Sequence, residues 1–529
     1  MIVDSGPPLA VRFLLLGRRV AHSKQDLHPG LFLVAMVLVA ALAPLAAQPT
    51  RGGEWRDDVA RFAQSLVDAQ FVPGMGIAVT QGDRVVYSRG FGFPDIASSR
   101  RADEATVFYV ASSTKALTAT AVLTLAARKE LDLNASVAHY LPALRRRGQL
   151  NAESITLRDL LTMSHNIEDC DHVAFRTAYS GEFTAELLLE LLAECRRSDS
   201  ARQFRYGNLG YNILGLVLDP RQGHGWKDVV RREVLDPLGM RETSARVSDF
   251  APHVIALPHD YGEDGKFQRV RLGKADANMH AAGGHFATPR DLARFVAAHA
   301  SGGRLDGVQV FPAEMIASMH RRNIGQDRRF GPIHRFGWGY GWDLGTYGDE
   351  TVVHRFGSFP GYRSHVSFMP ARGTGVVVLV NGSDPASTAA DVMATYIYDR
   401  LSGRSNLDNV YALSVADLRA RADALRAVLG KDNASRRTRS ASLPRPPQDY
   451  AGVYENGRFG SMEWRVVGHG LESRMGVAYS SAEVLDPRQN RFRVSFTGDE
   501  EIVEFLFQPG GGSVLALRYR GETFGRTKD

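Results

Sequence analysis

The segment Thr114–Ala127 consists almost entirely of alanine, leucine, threonine and valine. A helix of this composition is apolar on every face, so it is stable only where other parts of the protein surround it. The segment therefore predicts a central helix inside a large domain. The chain is long enough for that domain and a second one, since 44% of its 529 residues are hydrophobic and 23% are charged.

Strand-like runs lie on both sides of a long helical region. Residues 74–79 and 84–87 flank a Gly-Asp turn, and residues 365–368 and 375–380 form two later runs. Amphipathic helices occupy the sequence between these two pairs, and a closing helix is expected near residues 389–401. We therefore expect an α/β (α+β) fold in which an antiparallel sheet is flanked by helices and carries an all-helical insert.

The composition changes after residue 402. An arginine-rich helical stretch at 413–429 and a stretch rich in Ser, Arg and Pro at 433–447 indicate a connector. Short alternating runs with glycine-rich turns then predict a small all-β, barrel-like domain with its aromatic residues in the core, namely Trp464, Phe492, Phe496, Phe505 and Phe507. We divide the chain into a leader at 1–47, a sheet-and-helix domain at 54–402, a linker at 403–447 and a β domain at 448–529.

The leader has the features of an export signal. An uncharged run at 31–47 follows four basic residues and ends in small residues. The basic residues are Arg12, Arg18, Arg19 and Lys24. The leader is either a cleaved secretory signal or a retained membrane anchor, because the apolar run approaches the ~18 residues that span a bilayer. Both alternatives predict a periplasmic or extracellular protein.

The two cysteines, Cys170 and Cys195, have two interpretations in an exported protein: a disulfide, or two unpaired buried thiols. No metal-binding spacing of Cys, His or acidic residues occurs, so we expect no metal and no cofactor. The net charge of +6 is spread along the chain. One basic cluster at 436–439 lies in the linker and indicates solubility rather than a nucleic-acid partner.

Ser112 and Lys115 stand at the start of the apolar helix. Residues three apart share a helix face, so the Ser112 hydroxyl and the Lys115 ammonium can meet. A buried apolar environment favours the neutral amine, which could then take part in removing the serine proton. The alternative is that Ser112 is a helix cap and Lys115 a surface lysine.

Two further segments complete a candidate catalytic set. Tyr206 and Asn208 lie two residues apart before a helix; a phenol near an ammonium has a lowered pKa and can accept a proton, and the amide can hold the lysine. The segment 354–358 leads towards a strand and offers a cation and backbone N–H groups for an oxyanion.

These three segments, in this order, resemble the serine β-lactamase and penicillin-binding-protein superfamily, in particular its branch of class C β-lactamases, esterases and D-amino-acid peptidases. The resemblance runs over about residues 55–400 and includes segments 155–162, 236–240 and 282–293. It implies Ser112 as nucleophile, Lys115 as its proton-sharing partner, Tyr206 as general base and Asn208 as organiser. The β domain resembles the accessory domain appended to many such hydrolases.

The resemblance also implies an oxyanion hole formed by the N–H groups of Ser112 and Ser358, with Gly357, Arg355 and His354 expected at the substrate-binding wall. Two departures from the family pattern stand out. The third motif usually begins with Lys or His followed by a small residue, whereas this chain has Arg355 and a bulky Phe356, which we expect to narrow the site.

The second departure is the pair Ser164 and His165, where the family often has His-Thr-Ser-Gly. Both residues are expected to cap a loop rather than to act in catalysis.

The expected activity is hydrolysis through an acyl-enzyme on Ser112, with esters or D-amino-acid peptides and amides as substrates, cell-wall fragments included. A β-lactamase or D-Ala-D-Ala carboxypeptidase, with Arg355 binding the substrate carboxylate, is the alternative enzyme. A non-catalytic penicillin-binding-like protein is the alternative outside enzymes. No nucleic acid is expected as a partner, and a membrane only through the N-terminal anchor.

Overall fold

The computed structural model describes residues 54–527 except for short gaps at 146–148, 223–224, 439–442, 444, 509 and 511. The predicted leader at 1–47 lies outside the described residues. Among the residues that are described, none of the helices is long and apolar enough to cross a membrane.

One eight-stranded antiparallel sheet forms the centre of the molecule. In spatial order its strands are Ile324–Phe330, Ile333–Trp338, Asp343–Tyr347, Glu350–Phe359, Tyr362–Met369, Thr374–Val380, Gly74–Gln81 and Arg84–Gly92. The early and late parts of the chain meet in the middle, where Ile77 lies opposite Val378. This confirms the antiparallel sheet built from both ends.

Four strands between residues 324 and 359 are additional to those predicted from sequence, and the last of them, Glu350–Phe359, contains the segment 354–358 that was expected to precede a strand. The outermost, Ile324–Phe330, carries four charged or amide side chains in succession, and its residues alternate only between half-buried and exposed. A strand at a sheet edge needs no apolar face, so its sequence lacks the alternation that identifies a strand.

Helices cover both faces of the sheet and form the insert. They are Glu54–Asp68, Thr114–Ala127, Val137–Tyr140, Leu157–Leu161, Asp171–Phe175, Ala185–Ala193, Leu209–Gln222, Gly225–Val230, Pro289–Ala300, Ala313–Met319, Ala386–Leu401, Leu407–Arg437 and Pro447–Tyr450. Glu54–Asp68 and Ala386–Leu401 share one apolar core with one sheet face, and Thr114–Ala127 and Pro289–Ala300 share the other. Of the 14 residues of Thr114–Ala127, 11 are buried, as the apolar composition predicts.

A disulfide joins Cys170 and Cys195 within the helical insert, with the two Cα atoms 5.3 Å apart. The structure thus favours the paired interpretation of the two cysteines. Closing a loop of 25 residues stabilises a fold by about 3 kcal/mol through the restricted unfolded chain.

The C-terminal part is a closed antiparallel barrel of eight strands. These are Gly452–Asn456, Gly460–Val467, Gly470–Met475, Ala478–Asp486, Arg491–Val494, Glu501–Phe507, Val514–Tyr519 and Glu522–Arg526. Trp464, Phe492 and Phe505 meet edge to face in its core, with ring centroids 4.7–5.6 Å apart. Phe496 is also buried, whereas Phe507 is half-buried. The barrel prediction is confirmed.

The barrel packs on the helical insert. Phe175 of the insert belongs to the apolar core of the barrel. The neighbouring Arg176 is buried and donates hydrogen bonds to the carbonyl oxygens of Arg458 (2.6 Å) and Gly457 (3.0 Å). A guanidinium is thus held by barrel backbone, and Phe175 and Arg176 together join the two parts of the chain.

Candidate active site

Ser112 lies in a single 3-10 turn, Ala111–Ser113, directly before the buried helix Thr114–Ala127. Ala111 has a positive φ of 45°, which costs a residue with a side chain about 1–3 kcal/mol. The turn leaves Ser112 half-exposed while both of its neighbours are buried. The local backbone therefore presents one hydroxyl to the solvent side of an otherwise buried element.

Lys115 is completely buried one helical turn after Ser112. Its Nζ donates to the Ser112 Oγ (3.1 Å), the Asn208 Oδ1 (2.6 Å) and the Ala282 carbonyl oxygen (2.9 Å). Burial lowers the pKa of Lys115 to about 8, although the neighbouring Tyr206 opposes this shift. The surface-lysine alternative is wrong, because the side chain points into the protein and contacts the serine.

Tyr206 lies over the same group from the loop before helix Leu209–Gln222. The Lys115 ammonium is 5.1 Å from the centre of its ring, and Arg355 donates a hydrogen bond to its hydroxyl. Burial of the hydroxyl opposes ionisation, but Arg355 and Lys115 outweigh it and lower the pKa of Tyr206 to about 8. The residue as a whole is 41% exposed, so the phenol is reachable from solvent.

Arg355 is buried and holds three different groups of the site. Its Nε donates to the Ser112 carbonyl oxygen (3.1 Å), one terminal nitrogen bonds Asp343 Oδ2 (2.8 Å) and the other bonds the Tyr206 hydroxyl. Asp343 is fixed in turn by the Gln326 amide (3.0 Å). The guanidinium is therefore positioned to stabilise negative charge on Tyr206 and to set the orientation of the serine turn.

Gly357 brings strand Glu350–Phe359 against the serine turn. A Cβ at this position would lie 2.0 Å from the Val110 carbonyl oxygen and 3.0 Å from the Ser112 nitrogen, so only glycine permits the contact. Ser364 on the next strand donates to the same Val110 oxygen (2.8 Å). Ser358 is the residue after Gly357 in strand Glu350–Phe359.

His354 does not face Ser112, contrary to the expectation of a substrate-binding role. Side chains alternate along a strand, so His354 and Phe356 point to the face opposite Gly357. The His354 ring is fully buried against Phe356, with centroids 4.8 Å apart, and burial holds its pKa well below the usual range. Phe356 stacks on Phe330 at 4.2 Å on that same face. The expectation that Phe356 narrows the site is therefore wrong.

Ser164 and His165 bond within their own loop. The Ser164 hydroxyl pairs with that of Thr162 (2.9 Å), and His165 Nδ1 accepts the Ile167 backbone N–H (3.1 Å). Both residues are buried, and these bonds fit the expected loop-capping role.

Two groups of the site were not predicted from the sequence. Asp343, the buried partner of Arg355, lies on a strand that was not predicted; an acidic residue within the aromatic and glycine-rich run 336–345 was the available signal. The Ala282 carbonyl oxygen, which binds Lys115, belongs to a segment that was noticed only as part of the family resemblance.

An antiparallel sheet with a helical insert and a serine-lysine turn facing Tyr206 and Asn208 defines the β-lactamase/transpeptidase-like class of proteins. The family model described as Beta-lactamase matches residues 59–399. The chain belongs to this family, whose fold is shared by penicillin-binding-protein homologues, amidases and esterases.

Individual relatives are distant in sequence. Protein flp of Staphylococcus aureus (strain COL) is 22% identical over 317 residues, which are 59% of this chain and 60% of that protein. The chain thus spans less than two thirds of the length of such relatives. Esterase EstB of Burkholderia gladioli is 29% identical over 327 residues, covering 55% of this chain and 80% of that protein.

Solved structures share the fold. The octameric penicillin-binding protein homologue from Pyrococcus abyssi superposes with a TM-score of 0.55 at 19% identity and covers 90% of this chain and 100% of that one. The D-amino acid amidase from Ochrobactrum anthropi SV3 gives a TM-score of 0.56 at 19% identity, covering 65% of this chain and 99% of that one. At these identities the likeness concerns the fold alone.

Proposed function

We propose that the protein is an exported serine hydrolase in which Ser112 attacks an ester or a D-amino-acid peptide or amide and forms an acyl-enzyme that water then releases. One observation carries the proposal: the Lys115 ammonium, buried and with a lowered pKa, lies 3.1 Å from the Ser112 Oγ. A buried lysine beside an accessible serine is the requirement for activating that serine without a histidine.

In this proposal each residue of the site has its own role in the reaction. Tyr206, as phenolate stabilised by Arg355 and Lys115, takes the proton from Ser112 as its Oγ bonds the carbonyl carbon. The N–H groups of Ser112 and Ser358 receive the negative charge on the carbonyl oxygen. Tyr206 then gives the proton to the leaving group as its bond to the carbonyl carbon breaks. In the second half of the reaction Tyr206 accepts a proton from the attacking water and returns it to the Ser112 Oγ as the acyl bond to the serine breaks.

The contacts of Arg355 help to distinguish the proposed activity from that of a D-Ala-D-Ala carboxypeptidase or β-lactamase. In that alternative its guanidinium would bind the substrate carboxylate. Its charge is already paired with the buried carboxylate of Asp343, and two further N–H groups donate to Ser112 and Tyr206. This favours substrates without a carboxylate on the leaving-group side, and hence esters and amides over β-lactams.

The test is intact-protein mass spectrometry after incubation with a p-nitrophenyl ester, a D-Ala-D-Ala peptide and nitrocefin. We expect a mass increase equal to the acyl group, on the peptide containing Ser112, and faster release of p-nitrophenol than opening of nitrocefin. Faster nitrocefin hydrolysis would favour the β-lactamase alternative. Absence of any adduct and of fluorophosphonate labelling would favour the non-catalytic binding protein.

The proposed proton transfer also predicts a pH dependence. One proton must be absent from the Lys115–Tyr206 pair for Ser112 to be activated, and both groups have a pKa of about 8. Below that pH both are protonated, so kcat/KM for a neutral ester should fall about tenfold per pH unit from pH 7 downward and level off above pH 8.5. Initial rates between pH 6 and 9.5 measure this limb, and a flat profile would contradict the assignment of the base.

A further inference from the structure

Lys274 is a second lysine with a lowered pKa, and it lies outside the set used above. Its Nζ donates to the carbonyl oxygens of Ala178 (2.8 Å) and Asn278 (3.2 Å), which leaves one of the three ammonium hydrogens without a protein acceptor. No carboxylate of the described residues forms an ion pair with it. Burial lowers its pKa to about 7 because no negative charge offsets the desolvation.

Aromatic rings surround this ammonium. It lies 4.4 Å from the centre of the Phe359 ring and 5.0 Å from that of Tyr109, and the Tyr179 ring stacks on Phe359 at 5.8 Å. Tyr109 is buried, but Lys274, Phe359 and Tyr179 are half-exposed. The lysine therefore lies at the inner end of an aromatic niche that is open to solvent.

The niche is next to Ser112. Lys115 binds the carbonyl oxygen of Ala282, and the Tyr109 hydroxyl binds that of the next residue, Gly283. The niche and the Ser112–Lys115 pair are thus built on consecutive peptide groups of one segment.

In the proposed mechanism, the niche lies on the acyl side of the scissile bond. Along strand Glu350–Phe359, Arg355 is at the Tyr206 end, Gly357 is beside Ser112 and Phe359 is at the Lys274 end. Phe359 is four positions after Arg355, about 13 Å along the strand at about 3.3 Å per residue. Since Tyr206 must protonate the leaving group, the acyl part of the substrate extends the other way, towards Lys274.

The geometry points to a binding subsite in which Lys274 holds a carboxylate on the acyl part of the substrate, with Phe359 and Tyr109 against the carbon chain that precedes it. The inference rests on the proposed function and narrows it to half-esters of dicarboxylic acids and acyl groups with an acidic side chain. A bound carboxylate would supply the missing charge partner of the ammonium. Acyl groups that end in a free ammonium are disfavoured, because Lys274 repels them.

Three p-nitrophenyl esters of similar length test the subsite: the glutarate half-ester, the pentanoate and the 4-aminobutanoate. Lys274→Met should lower kcat/KM for the half-ester roughly 10- to 100-fold, the range of a lost charge-assisted hydrogen bond, and leave the pentanoate within about threefold. In Lys274→Met, kcat/KM for the aminobutanoate should rise. Lys274→Arg should keep most of the half-ester activity. An unchanged ratio of half-ester to pentanoate in Lys274→Met would overturn the subsite, and this ratio is independent of how much of the variant folds.

A binding measurement separates this proposal from the hydrolase proposal. In Ser112→Ala, monomethyl glutarate should bind at least about tenfold more tightly than in the double variant that adds Lys274→Met, by isothermal titration at pH 6.5. Such a difference without turnover of any ester by the wild type would support the subsite and refute the hydrolase. Turnover with equal affinity in the two variants would refute the subsite alone.

Discussion

Ser112→Ala is expected to lower kcat/KM by roughly 10⁴- to 10⁶-fold on every substrate that the wild type hydrolyses, because no other group can form the acyl-enzyme. The loss should fall on kcat, with substrate binding retained, since the serine hydroxyl makes its bond only during the reaction. Thermal stability should change little, because Ser112 is half-exposed and its hydroxyl bonds two side chains of the site, Lys115 and Tyr206.

The matched control is Ser65→Ala. Ser65 is exposed on helix Glu54–Asp68, which covers the other face of the sheet, and its hydroxyl bonds only within its own helix. Rates and fluorophosphonate labelling should equal those of the wild type. Labelling that persists in Ser112→Ala would assign the nucleophile to another residue.

Lys115→Met is expected to lower kcat/KM by roughly 10³- to 10⁵-fold, the second largest effect. The thioether occupies similar space but holds no proton and no charge. Without the ammonium, the pKa of Tyr206 rises because Lys115 is one of the two cations that lower it, so the residual activity should move to higher pH. Stopped assays across pH 7–10.5 would measure both effects.

Lys129→Met is the control for Lys115→Met. Lys129 is the next lysine in the chain and is exposed just beyond the same helix. Its replacement should leave the rate and pH profile unchanged. If Lys115→Met kept its activity within tenfold of wild type at pH 8, the lysine would have only a structural role.

Much of the central architecture could be read from the sequence because it depends on local composition. The all-round apolar helix at 114–127, the sheet built from both ends and the C-terminal barrel each leave a pattern over several consecutive residues. The contact between Ser112 and Lys115 was accessible for the same reason, since helix periodicity alone brings residues three apart together.

Contacts between segments that lie far apart in the sequence could not be predicted in this way. Whether His354 or Arg355 faces Ser112 is decided by strand register, and a shift of one residue would reverse it. Asp343 reaches Arg355 only because strand Asp343–Tyr347 pairs with strand Glu350–Phe359. The sequence of the first of these strands lacks an apolar alternation. Lys274 acquires its aromatic surroundings from segments separated by more than 80 residues of sequence.

The attachment of the barrel through Phe175 and Arg176 limits how the C-terminal domain can be removed or exchanged. These two residues belong to the helical insert by sequence, yet their surroundings are completed by the barrel. Removing the barrel would expose the Phe175 ring and remove two of the three carbonyl acceptors of the Arg176 guanidinium, so the remaining part would tend to aggregate. A chain in which recombination or gene fusion has exchanged the C-terminal domain therefore needs matching substitutions in the insert. We expect the two parts to co-evolve.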